Sequence, residues 1–184
     1  AYARAIKLSS EDRVVSWLPL YHDMGLVAAL QLSLAEGVPL VQMSPFEWVT
    51  APVLLLDALS RERGTLSWLP NFAYNHTAMR ANEEDMEGIS LDHVRLLVNC
   101  SEPVRAESHD RFHERFSRYG LRREALSACY AMAEATFAVT QTAPGAEARR
   151  IHVDRSALAE GRVVPAPPGA AARACVSSGK PIEG

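Results

Sequence analysis

Long hydrophobic runs are missing from this 184-residue chain: no apolar stretch approaches the ~18–20 residues of a membrane span, and no signal-peptide pattern opens it. No basic run interleaved with aromatics occurs and the net charge is −3, which argues against a nucleic-acid partner. Cysteine is scarce. Cys100, Cys129 and Cys175 are widely separated and odd in number, so they read as reduced thiols in a cytoplasmic setting, not as a disulfide framework. There is no internal repeat. Common chemistry motifs are absent as well: no G-x-S-x-G of a hydrolase and no G-x-G-x-x-G of a dinucleotide site. The "SSGKP" at 177–181 has Gly-Lys but lacks the upstream Gly and the following Ser/Thr of a phosphate loop.

What is present is enough apolar material for a core, 48% of residues, in a length suited to roughly one domain of ~100–200 residues. Short apolar runs alternate with amphipathic ones. "RVVSWLPL" (13–20), "VPLVQMS" (38–44), "TLSWLP" (65–70), "LDHVRLLVNC" (91–100) and "LSACYAM" (126–132) read as strands. Helices are expected between them: 22–37 with Asp23 as cap and Gly37 as stop, 50–64 with Thr50 as N-cap and Pro52 in the first turn, and 71–82. A further helix is expected within 102–120, with Phe112 and Phe116 at i, i+4, and a short one in "AEATFAVTQ" (133–141) after the fifth strand. Five alternations predict an α/β fold with a mostly parallel sheet covered by helices. Residues 1–142 form this body. Residues 143–174, rich in Ala, Gly, Pro and Arg, read as a surface excursion whose only helical candidate is "DRSALAEG", and 175–184 begin a following segment. The start without Met and the turn-rich end read as a piece of a larger protein.

Ligands of such sheets bind outside the carboxyl ends of the strands, and there the unusual polar residues collect. "YHDMG" places Tyr21, His22, Asp23, Met24 and Gly25 at the first strand's end, where a plain strand-to-helix turn capped by Asp23 would also explain them. Ser101, Glu102 and Pro103 follow the fourth strand, where they also suit a helix start. Glu134 is the lone acid in "CYAMAEATFAVT". It is either a first-turn acid favoured by a helix dipole or a magnesium ligand, since that ion often takes only one or two protein carboxylates and fills its shell with phosphate and water. His109 and His113, at i, i+4, could hold a metal, but their charged neighbours point to a solvated helix face.

"SWLPLYHDMGL", "PNFAY", "NCSEPVR" and "CYAMAEAT", in this order and each at a strand end, together resemble the acyl-adenylate-forming superfamily, and within it the fatty-acyl-AMP ligase branch. The excursion, "IHVDRSALAEGRVVPA" followed by "VSSGKPIEG", is similar to that branch's insertion, which is associated with poor use of coenzyme A. The resemblance implies part of a large N-terminal domain that uses ATP and Mg2+ to turn a fatty acid into acyl-AMP, for transfer to the phosphopantetheine arm of an acyl carrier protein. It implies Glu134 as magnesium ligand, Tyr130 stacking on adenine against the Ser101-Glu102-Pro103 turn, and the Cys129 backbone near the adenine amino edge. It further implies His22 at the junction of acyl pocket and phosphate, with Asp23, Met24 and Gly25 shaping that loop, and Phe72 with Tyr74 along the acyl tunnel.

Two departures stand out. Ala131 replaces the family's Gly after the Tyr, and Cys100-Ser101 replaces Gly-Ala before Glu-Pro; each added side chain is expected to narrow the nucleotide site. The family's phosphate loop, ribose-binding Asp and Lys-bearing C-terminal domain have no counterpart in the 184 residues, which are therefore expected to be inactive alone. Rival readings are an acyl-CoA synthetase, a peptide-synthetase adenylation domain, and a non-catalytic scaffold with a decayed nucleotide site.

Overall fold

The computed structural model describes residues 1–183. A short helix α1 (Tyr2–Ala5) precedes strand β1 (Val14–Ser16). Helix α2 follows, wound as a π-helix over Met24–Gln31 and as an α-helix over Leu32–Glu36, and Gly37 ends it in the left-handed region at φ 69°. Next come β2 (Leu40–Gln42), α3 (Pro45–Thr50), α4 (Val53–Arg61), β3 (Leu66–Leu69), α5 (Asn71–Arg80), β4 (Leu96–Asn99), α6 (Ala106–Phe116) and β5 (Leu126–Ala131). The chain continues with β6 (Ala138–Gln141), β7 (Arg150–Asp154), α7 (Arg155–Ala159), β8 (Ala172–Val176) and β9 (Lys180–Pro181).

The main sheet has the order β2-β1-β3-β4-β5-β6-β9, parallel from β2 to β5 and antiparallel at β6 and β9. β3 and β4 are buried at every residue, as strands covered on both faces must be. α4 turns Leu55, Leu56, Ala58 and Leu59 inward, and α6 buries Phe112 against Phe116, ring centroids 4.6 Å apart. Each such Leu or Phe side chain contributes roughly 1.5–3 kcal/mol on leaving water. α1 is tied in by a polar chain: Trp68 Nε1 donates to the Tyr2 hydroxyl (2.7 Å), which donates to Gln141 Oε1 (3.1 Å).

Several local expectations fail for identifiable reasons. "AEATFAVTQ" is not a helix. Its helical part is one turn, Ala133–Ala135, ended by Thr136 at φ 68°; Ala138–Gln141 then pairs with β5 on one side and β9 on the other, so its backbone bonds lie across the sheet. Thr50 does not cap α4. It closes α3, a helix unforeseen in the sequence, where its hydroxyl donates to Glu47 O at 2.8 Å; Ser44 caps α3 and Pro52 stands at the N-cap of α4. The excursion is more than loop: β7 and β8 pair antiparallel over five residues each, beside the foreseen α7 capped by Asp154. Finally, His109 is not on a solvated face. It is 2% exposed, and Asn99 Nδ2 donates to its Nε2 at 3.1 Å.

Candidate functional site

At the carboxyl end of the sheet, β4 and β5 lie side by side, with Asn99 opposite Ala128, so the residues that follow them emerge together. A cleft of about 470 Å³ separates the two strand ends. Ser101, Glu102 and Pro103 line one side and Cys129, Tyr130 and Ala131 the other. Tyr130 is 52% exposed, an aromatic face held at the end of a rigid strand. A register shift at Tyr130/Ala131 bends the strand there. The turn opposite is set by Ser101, which adopts φ 68°, a left-handed conformation uncommon outside glycine.

The two departures from the family pattern behave differently. Ala131 lines the cleft. Cys100 does not narrow it, contrary to expectation: the residue is fully buried, with Sγ 3.0 Å from Met24 Sδ. The Cys129 thiol beside it, together with burial, pushes the Cys100 thiol well above its ordinary range, so it stays protonated and inert.

Along the sheet, the loop after β1 carries His22 and Asp23. Asp23 occupies the N-cap position of α2 but makes no capping bond; its carboxylate lies 2.6 Å from His22 Nδ1. The Met24 N–H donates to the same nitrogen at 3.2 Å, so both neighbours hold the ring at this position. Gly25 permits the tight return of the chain, since a Cβ there would stand 2.3 Å from the Pro19 carbonyl oxygen. Met24 ties this loop to the β4 turn through its contacts with Cys100 and with the Ser101 hydroxyl at 3.5 Å. Phe72, 45% exposed, sits edge-on to the stacked pair Trp17 and Trp48. Tyr74 is elsewhere: it is fully buried against Phe112, with its hydroxyl donating to Leu97 O at 2.9 Å, a core position and not a tunnel wall.

Glu134 lies in the exposed turn between β5 and β6 and, among the described residues, forms no ion pair. No group of three or more His, Cys, Asp or Glu converges to hold a metal among the described residues. A lone, solvated carboxylate suits only an ion whose other ligands are phosphate and water.

The profile of the family described as AMP-binding enzyme matches residues 1–169. The chain belongs to that family. It is 37% identical over 179 residues to the medium-chain-fatty-acid–[acyl-carrier-protein] ligase JamA of Moorena producens, covering 96% of this chain and 30% of JamA. It is 36% identical over 148 residues to the probable long-chain-fatty-acid–AMP ligase FadD30 of Mycobacterium tuberculosis, covering 80% and 25%. The crystal structure of a fatty acyl-adenylate ligase from L. pneumophila, solved with acyl adenylate and pyrophosphate, superposes with a TM-score of 0.93 at 34% identity, covering 97% of this chain and 32% of that one. The chain thus spans between a quarter and a third of the length of these relatives. The architecture of these relatives, a mostly parallel sheet flanked by helices, is what the chain forms, with β9 (Lys180–Pro181) completing the sheet beside β6.

The chain also holds functional candidates that motif reading missed. The third wall of the cleft is Arg173 to Val176 with Ser178, from the end of the supposed excursion and the segment that follows it. Their Ala-rich sequence carries no signal; only the β7–β8 ladder brings them there. Behind the Ser101 turn, Asn99 Nδ2 donates to Asn71 Oδ1 (3.2 Å), which also accepts from Arg105 N (3.0 Å), fixing both ends of the turn to α5. The "VNC" and "PNF" asparagines flanking two motifs were the available clue. No helix of the described residues is long and apolar enough to cross a membrane.

Proposed function

We propose that the chain supplies the adenine- and acyl-facing part of an ATP-dependent ligase, which converts a fatty acid to acyl-AMP and passes the acyl group to an acyl carrier protein. The observation that carries this reading is the single cleft between the Ser101–Pro103 turn and the Cys129–Ala131 strand end, in a chain that superposes on a ligase solved with acyl adenylate. Tyr130 stacks on the adenine. Glu102 and Pro103 form the opposite jaw, and the Cys129 backbone faces the amino edge. His22, oriented by Asp23, holds the carboxylate end of the acid near the α-phosphate, and Phe72 lines the acyl path. The Cys100 thiol and Tyr74 take no part.

Glu134 is the residue that would hold Mg2+, which, when bound, supplies charge neutralisation on the phosphates. The carboxylate of the acid attacks the α-phosphorus, an O–P bond forms, and pyrophosphate leaves. The chain's own contribution is alignment of the two reactants at the strand ends. The three cysteines are all free, which supports a reducing, cytoplasmic setting. The 184 residues alone are expected to release no pyrophosphate above background with fatty acid, ATP and magnesium.

In the full-length protein, Glu134→Gln should lower acyl-AMP formation by at least about a hundredfold while leaving the melting temperature unchanged, because the side chain is exposed and unpaired. Pyrophosphate release at the wild-type rate would remove Glu134 from the metal role. Thioester formation with free coenzyme A in place of the carrier would favour an acyl-CoA synthetase.

A further inference from the structure

Beside the nucleotide cleft lies a larger one, of about 630 Å³, which the proposed adenylation does not use. Val104, Leu158 and Ala174 are among the apolar side chains that line it. Arg105, preceding α6, Arg155, the first residue of α7, and Arg173, on β8, reach it from three different elements, against one acid, Glu107. All three arginines are exposed. Among the described residues none of them has a carboxylate within ion-pair distance, whereas Arg95, Arg123 and Arg150 are each paired. The imbalance extends through the segment: residues 149–173 contain five arginines against Asp154 and Glu160, in a chain whose net charge is −3.

The wall bearing two of these arginines is fixed in place. Arg150 of β7 donates to both carboxylate oxygens of Asp110 on α6, at 2.8 Å each, and Arg123 reaches the same carboxylate at 2.7 Å. The β7–α7–β8 unit is therefore pinned to the main body. Pro103, Val104, Arg173 and Ala174 line both clefts, so whatever occupies the second one abuts the site of the acyl adenylate.

Three guanidinium groups that line one cleft with no carboxylate partner among the described residues repel one another until an anion meets them. They are spread over three elements on an open surface, which matches an acidic amphipathic protein face better than a small anion; such charge complementarity governs encounter rate and orientation. We propose that this arginine-rimmed cleft docks the acidic face of the carrier protein that accepts the acyl group. The inference rests on the ligase reading above, and it names the surface and chemistry by which the partner is held.

The test uses the full-length protein and a phosphopantetheinylated fatty-acid acyl carrier protein. Arg105→Glu combined with Arg155→Glu should leave pyrophosphate release unchanged. It should lower acyl transfer to the carrier about tenfold or more at low salt, through KM, and flatten its salt dependence. The milder pair Arg105→Gln and Arg155→Gln should fall between. Unchanged transfer and salt dependence in both variants would overturn the proposal. An equal loss with free coenzyme A as acceptor would also overturn it, pointing to a nucleotide phosphate as the occupant. Direct titration of the carrier separates the two levels: loss of binding in the charge-reversed protein supports docking even if the wild type makes no acyl-AMP, a result that would overturn the ligase reading alone.

Discussion

The two ends of the central sheet are built on opposite principles. At the amino ends, polar groups are buried and saturated. Asp12 is 1% exposed and accepts from Arg95 Nε and Nη2 (2.8 Å each), Thr65 Oγ1 (2.7 Å) and Ser9 N (2.9 Å), joining the approaches to β1, β3 and β4. At the carboxyl ends, polar and aromatic groups stand exposed and unpaired: Tyr130 and Glu102 at the cleft, and Glu134 in the turn after β5. One end spends its polar groups on stability, and the other leaves them free for a ligand. Exposed, unsatisfied groups are expected where binding, not folding, selects the residues.

The largest effect should come from breaking the saturated end. Asp12→Ala removes the acceptor for four donors and should cost about 3–5 kcal/mol in urea unfolding. Burial alone would raise the Asp12 carboxyl, but the bonds from Arg95, Thr65 and Ser9 outweigh it and hold it below its ordinary value. Its contribution is therefore present at neutral pH and lost as the medium becomes strongly acidic. A change below 1 kcal/mol would erase the contrast between the two ends.

His109 sharpens the comparison, because it belongs to the buried network behind the Ser101 turn. Burial lowers its pKa from 6.5 to about 4, helped by Arg150 and Arg123 and opposed by Asp110. The unfolded chain thus takes up a proton between those values that the folded chain refuses. Stability is full above pH 6.5 and falls as the pH drops toward 4, by up to about 3 kcal/mol. His109→Gln should flatten that slope in thermal melts between pH 7 and 4; an unchanged slope would place the titrating group elsewhere.

How much of this was legible beforehand differs between the same two ends. The parallel body was readable because β1, β3, β4 and β5 are short apolar runs with marked breaks, such as Pro19 and Pro70. The strand-end motifs were readable for the same reason, since each follows such a run. The β5–β6 hairpin was not: "AEATFAVTQ" has the Ala content of a helix, and only the positive φ of Thr136 and the partner strands β5 and β9 decide against it. The β7–β8 wall of the cleft was illegible because its long-range pairing leaves no local mark. His109 misled because its charged neighbours Asp110 and Arg111 lie on other sides of the helix, while the His itself packs beside Tyr74.

The central claim is that the open end of the sheet is a nucleotide site with Tyr130 as its stacking platform. It is tested most directly by titrating a non-hydrolysable acyl-AMP analogue into the full-length protein and its Tyr130→Ala variant. Base–aromatic stacking is worth about 1–3 kcal/mol, and Tyr130 is half-exposed on a rigid strand. The account predicts at least about tenfold weaker binding in the variant, with the melting temperature of the free protein unchanged. Equal affinity in the two proteins, or no binding in either, would contradict it.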